Sequence, residues 1–175
     1  MPTPKRIVFA SSNSGKAREI HALLQDVYGA DLGGRRQIKL GIASIEETGE
    51  TFSENALLKA RHAAAMSGLP ALADDSGIEV DALGGAPGVH SARFAGTDSS
   101  DQENIDKLLQ DLLTLPEEQR TARFRCVLAY VQSSDDPKPF MACGTWEGRI
   151  ARKRRGAGGF GYDPLFLVPA DNMSS

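Results

Sequence analysis

Several protein classes are excluded by what the sequence lacks. It has only two cysteines, Cys126 and Cys143, which make neither a disulfide framework nor a metal-ligand spacing. Both sit in apolar, strand-like stretches and read as buried thiols in a reducing compartment. Its three histidines, His21, His62 and His90, form no ligand spacing, and no Ser/His/Asp or Cys/His pattern supports nucleophilic catalysis. Neither charge sign dominates: 20 basic residues stand against 23 acidic ones, a net charge of −3. That excludes a protein whose main work is coating nucleic acid. A nucleotide-sized anion could still be held by a local basic site. The first apolar run, Ile7 to Ala10, is too short for a signal-peptide core or a membrane span. A soluble cytoplasmic protein with no membrane partner and no nucleic-acid polymer partner is expected. There is no internal repeat and no low-complexity linker.

What remains is ordinary globular composition. Hydrophobic residues are 41% and charged residues 25% of the 175, which excludes disordered and fibrous classes. At roughly 150 residues per domain, one domain over residues 1–175 is expected.

Ile7 to Ala10 reads as a buried strand. After the polar Ser11-Ser12-Asn13-Ser14-Gly15, residues Ile20, Leu23, Leu24 and Val27 recur as on an amphipathic helix. Gly29 and Gly33-Gly34 close that unit, and the alternation of Ile38, Leu40 and Ile42 predicts a half-buried strand. Thr51-Phe52-Ser53-Glu54 is a capping box that starts a helix near Phe52, and Gly68 ends it. Ala71 to Ala73 predicts a short strand that runs into a turn at Asp74-Asp75-Ser76-Gly77. Ile78, Val80 and Leu83 suggest a further extended piece, and Gly84 to Gly88 a loop. A second capping box, Ser100 to Glu103, precedes the stripe Ile105, Leu108, Leu109, Leu112 and Leu113, which stops before Pro116. Residues 122–132 and 139–151 predict a hairpin, and Leu165 to Val168 a last strand. The order of elements implies α/β with a mixed sheet.

Four segments could carry chemistry. Ser11 to Lys16 lies between a strand and a helix, where exposed backbone N–H groups and a lysine make a phosphate site in outline. It is not a Walker loop, since Ala10 and Ala17 stand where that pattern needs Gly and Ser/Thr. Read alone it is also an ordinary strand-to-helix turn. Glu46-Glu47 and Asp74-Asp75 would repel a phosphate unless a hard cation lay between them, which is the way Mg²⁺ is usually held. Each pair alone also reads as a solvated loop or a turn. Lys59, on an alanine-rich stretch, needs an anionic partner, either a substrate phosphate or Glu54 or Asp75. Gly158 to Pro164 surrounds Phe160 with glycine. Its ring could stack on a base while Asp163 accepts from base N–H groups, or it could be a core aromatic in a loop. The run Arg152-Lys153-Arg154-Arg155 reads as a solvated loop.

Taken together, several motifs in order resemble the inosine triphosphate pyrophosphatase family, above all its bacterial dITP/XTP pyrophosphatases. They are Ser11 to Lys16, Glu46 to Gly49 with Thr51 to Ala60, Ala73 to Gly77, Gly84 to Gly88 with Ser91 to Arg93, and Gly159 to Pro164. The resemblance runs from about residue 5 to the end. It implies an elongated mixed β-sheet flanked by helices, two lobes with the active-site cleft between them, and a homodimer. It implies Mg²⁺-dependent hydrolysis of ITP, dITP and XTP to monophosphate and pyrophosphate. Carried over residue by residue, Ser11, Ser12, Asn13, Ser14, Gly15 and Lys16 would hold the triphosphate. Glu46 or Glu47, with Asp75, would hold Mg²⁺, and Asp75 would be the base acting on water. Ser76 would touch the substrate, Lys59 would face the phosphates, and Phe160, Gly161, Tyr162 and Asp163 would hold the base. Family members continue past the last strand with a helical segment bearing a Lys and a Ser-His-Arg motif that reads the purine, and the sequence to Ser175 does not contain it. Two rival classes stay open: another phosphoryl-transfer enzyme, and a nucleotide-binding module without catalysis.

Overall fold

Side-chain caps set the starts of two helices. Thr51 Oγ1 accepts from the Glu54 N–H at 3.2 Å while Glu54 Oε2 accepts from the Thr51 N–H at 3.2 Å, and α2 (Phe52–Ser67) begins there. It ends at Gly68, whose φ of 64° is left-handed. Ser100 and Glu103 make the same reciprocal pair ahead of α3 (Asp101–Asp111). These features belong to a computed structural model that describes residues 6–11, 14–28, 35–156 and 159–169.

The remaining elements, in chain order, are β1 (Val8–Ala10), α1 (Ser14–Tyr28), β2 (Arg35–Arg36), β3 (Ala71–Val80), β4 (Thr121–Val131), β5 (Phe140–Ile150) and β6 (Phe166–Leu167). They form one mixed sheet in the order β2-β1-β3-β4-β5-β6. β1 is parallel to β2 and to β3, with Val8 opposite Ala71, whereas β5 and β6 are antiparallel. The expected α/β class with a mixed sheet is therefore present.

The chain forms two compact units. The first comprises residues 1–75 and 127–143, the second residues 76–126 and 144–175. In the first, α2 packs on β1 through its alanines: Ala56, Ala60, Ala63 and Ala64 are buried, as are Val8, Phe9 and Ala10. Small side chains let the helix lie close to the strand. In the second, Ile78, Val80, Ile105, Leu108, Leu112, Ala122, Ile150, Tyr162 and Leu165 form one cluster.

Four expectations need correction. Residues 37–40 are a 3₁₀ turn rather than a strand, because the Ile42 N–H donates back to the Gln37 carbonyl and the Gln37 side chain to the Ala43 carbonyl. Local bonds there use groups that a ladder would need. Asp74 to Gly77 is the middle of β3 rather than a turn. Gly77 serves close packing, since a Cβ on it would strike the Ser91 hydroxyl. Not every stripe residue is buried: Leu23, midway along α1, is 59% exposed, and Leu113, past the end of α3, 71%. Finally, Cys126 on β4 is only half-buried and Cys143 on β5 is exposed; most of β5 from Phe140 to Glu147 faces water. The basic run at 152–155 is exposed, as expected. Gly29 and Gly33-Gly34 lie outside the described residues.

Candidate active site

Two adjacent aspartates on β3 are nearly removed from water, Asp74 at 3% and Asp75 at 6% exposure. A buried carboxylate needs a partner, and each has a lysine. Lys16 Nζ lies 2.8 Å from Asp74 Oδ2, and Lys59 Nζ lies 2.9 Å from Asp75 Oδ1. Successive residues of a strand point to opposite faces, which explains why neighbours take lysines from two different helices. Lys16 stands in the first turn of α1 and Lys59 in the middle of α2. Lys59 also bonds Glu47 Oε1 at 2.7 Å, so the loop before α2 is drawn into the same cluster. All of these residues belong to the first unit.

Burial pushes the Asp75 carboxyl above the ordinary carboxylate value. The charge and hydrogen bond of Lys59 pull the other way without cancelling it, and the Glu47 charge adds to the rise. For Lys59, burial acts downward, but Asp75 and Glu47 together outweigh it and hold the ammonium above its usual value. The cluster thus keeps a cation charged while leaving one carboxylate unusually basic. Asp75 Oδ2 is buried and makes no hydrogen bond, and the same is true of Asn55 Nδ2 beside it. The Asn55 amide still acts weakly on Asp75, favouring its ionised form.

Of the other expected site residues, Glu46 is exposed on the loop that carries Glu47. Ser11 is half-buried at the end of β1, and Gly15 lies in the first turn of α1. Ser12 and Asn13, and the side chain of Ser14, lie outside what the structure describes. Ser76 is half-buried on β3. In the second unit, the Phe160 N–H donates to Asp163 Oδ2 at 2.9 Å and the Gly161 N–H to Asp101 Oδ2 at 2.9 Å. These bonds hold a tight loop from which Phe160 projects 39% exposed. Tyr162 instead turns into the core, its hydroxyl donating to the Ser91 carbonyl at 2.8 Å. Burial raises its pKa strongly. Its side chain packs beneath the loop. Glu54, weighed as a partner for Lys59, is occupied in the helix cap.

Sequence reasoning missed Asn55. The signal was available: a polar residue four positions before Lys59, on the alanine-rich face of the same helix.

Fold and cluster define an α/β protein with a buried lysine–carboxylate site on a sheet strand and its neighbouring helix. The Ham1 family profile matches residues 7–175, and the chain belongs to that family. A dITP/XTP pyrophosphatase of Yersinia pseudotuberculosis serotype I (strain IP32953) is 58% identical over 166 residues, covering 95% of this chain and 83% of the relative. One of Shigella flexneri is 53% identical over 171 residues, covering 98% of this chain and 85% of the relative. Among solved structures, a HAM1 protein from Coxiella burnetii aligns with a TM-score of 0.86 at 49% identity, covering 95% of this chain and 83% of that one. Among the described residues, no helix is long and apolar enough to cross a membrane.

Proposed function

We propose that this chain hydrolyses non-standard purine nucleoside triphosphates, dITP, ITP and XTP, to the monophosphate and pyrophosphate. The names of its relatives support the substrate class. The chemistry is supported chiefly by Asp75, with one oxygen held by Lys59 and the other buried without a partner.

Among the described residues, no three His, Cys, Asp or Glu side chains could hold a metal ion between them. Mg²⁺ does not need such a cage, since it is commonly held by one or two carboxylates plus substrate phosphates. The unpartnered Asp75 oxygen and the neighbouring Glu47 are hard oxygen donors of that kind. Asp75 would hold the ion with Glu47 or Glu46. When bound, it would neutralise phosphate charge.

Lys16, Lys59 and the N-terminus of α1 bind the triphosphate and spread its negative charge, with Ser11 to Gly15 shaping the approach. Asp75 takes a proton from water, which attacks phosphorus as pyrophosphate leaves. Most of the acceleration is positioning and electrostatics. Ser76 touches the substrate. By the family resemblance, Phe160, Gly161, Tyr162 and Asp163 would hold the base. A homodimer in the cytoplasm fits the family resemblance.

Product analysis tests this reading. The purified chain is incubated with Mg²⁺ and dITP, XTP, dATP or dGTP. Release of pyrophosphate from dITP and XTP is expected. Orthophosphate alone, a phosphorylated acceptor, or tight binding without turnover would each replace the proposal.

A further inference from the structure

Asn55 is fully buried. Its Oδ1 accepts the Gly49 N–H at 2.7 Å, two residues beyond Glu47 on the same loop. Its Nδ2 makes no hydrogen bond, although the amide lies close enough to Asp75 to favour its charged form. Lys59 is four residues further along α2, on the same helix face, and reaches the same loop and the same aspartate. One face of α2 therefore carries two rungs to the 46–49 loop, and the Lys59 rung reaches β3 as well. Gly49 is fitted to this arrangement: a Cβ there would lie 2.6 Å from Asn55 Oδ1 and 2.7 Å from the Glu54 Cβ. A buried amide with a spare donor is an odd choice for packing alone, since an apolar side chain would suit the alanine-rich face better.

We propose that Asn55 is a positioning residue for the reaction, a strut that fixes the Glu46–Gly49 loop and aims a donor at the Asp75 carboxylate. The inference rests on the hydrolytic reading above. Asn55 does not touch the substrate, and it acts through Asp75 and Glu47.

Two variants separate its two ends. Asn55→Asp keeps an acceptor for the Gly49 N–H but replaces the donor near Asp75 with oxygen, whereas Asn55→Ala removes both. Gly49 amide exchange stays slow in wild type and Asn55→Asp, and is about tenfold faster in Asn55→Ala. With Mg²⁺ and dITP, kcat falls at least about tenfold in both variants, while KM moves less than about threefold. Wild-type kcat in Asn55→Asp, a rise in KM alone, or unchanged Gly49 exchange in Asn55→Ala would overturn the proposal. If Asn55→Asp does not fold, Gly49→Ala approaches the strut from the loop side and lowers kcat in the same way, and full kcat in that variant is equally fatal. A wild-type chain that releases no pyrophosphate is a different result, since it removes the hydrolytic reading itself.

Discussion

Lys59 and Arg120 are both cations largely withdrawn from water, yet their surroundings differ in kind. Arg120, just ahead of β4 and 2% exposed, hydrogen-bonds backbone carbonyls. It donates to the carbonyls of Leu112 at 2.6 Å, Ile150 at 2.9 Å and Ala151 at 3.0 Å. Burial, with Arg152 nearby, lowers its pKa, but a guanidinium remains charged. Lys59 meets two carboxylates instead, and the cluster leaves one Asp75 oxygen unused. The first arrangement pins segments of the second unit together. The second keeps charge and an acceptor in reserve, as expected where a ligand is to arrive.

If this contrast holds, the two cations respond differently to removal. Lys59→Met should cost activity foremost, with pyrophosphate release from dITP falling on the order of 10²-fold or more. Its thermal stability should fall by less than the roughly 3–5 kcal/mol of a broken, fully buried ion pair, because the Lys59 side chain is 17% exposed. Arg120→Met should do the reverse. The Ile150 and Ala151 carbonyls lose the Arg120 donor at about 1–3 kcal/mol each, while that of Leu112 keeps the Leu115 N–H, so a loss of roughly 2 kcal/mol or more in urea unfolding is expected, with kcat of the folded fraction unchanged. Equal losses of activity in both variants would erase the distinction.

A smaller effect sharpens the same comparison away from the cluster. Asp136 caps the β4–β5 connection by accepting the Gln132 and Lys138 N–H groups at 2.8 and 2.9 Å. Those bonds hold its carboxyl below the ordinary carboxylate pKa. A lowered folded-state pKa contributes stability above the unfolded value that is lost as pH falls through the folded one. Asp136→Asn should therefore flatten the acid limb of the stability–pH curve and leave turnover at neutral pH intact. An unchanged acid limb would show that the cap is not linked to pH.

The sequence made some elements legible and concealed others for physical reasons. The capping boxes at Thr51 and Ser100 were readable because they are local: donor and acceptor lie three residues apart. Lys59 was legible as a lysine in need of an anion, but its choice of Glu47 and Asp75 depends on where a loop and a strand come to lie. Asp74 to Gly77 misled because turn composition reflects exposed backbone. Here two lysines neutralise the aspartates and close packing demands the glycine, so the segment stays extended. The partner of the Tyr162 hydroxyl, the Ser91 carbonyl 71 residues away, could not be read from the motif. Asn55 was visible by spacing, one turn from Lys59, but its meaning needed the position of Gly49.

The most direct test of the central claim is pyrophosphate release from dITP, with Mg²⁺, by Asp75→Asn, compared with wild type at matched folded fraction. The substitution removes the proposed base while keeping the shape of the side chain. The account predicts an intact melting transition and a fall in turnover of about 10²- to 10⁴-fold. Near-normal release by that variant would contradict it.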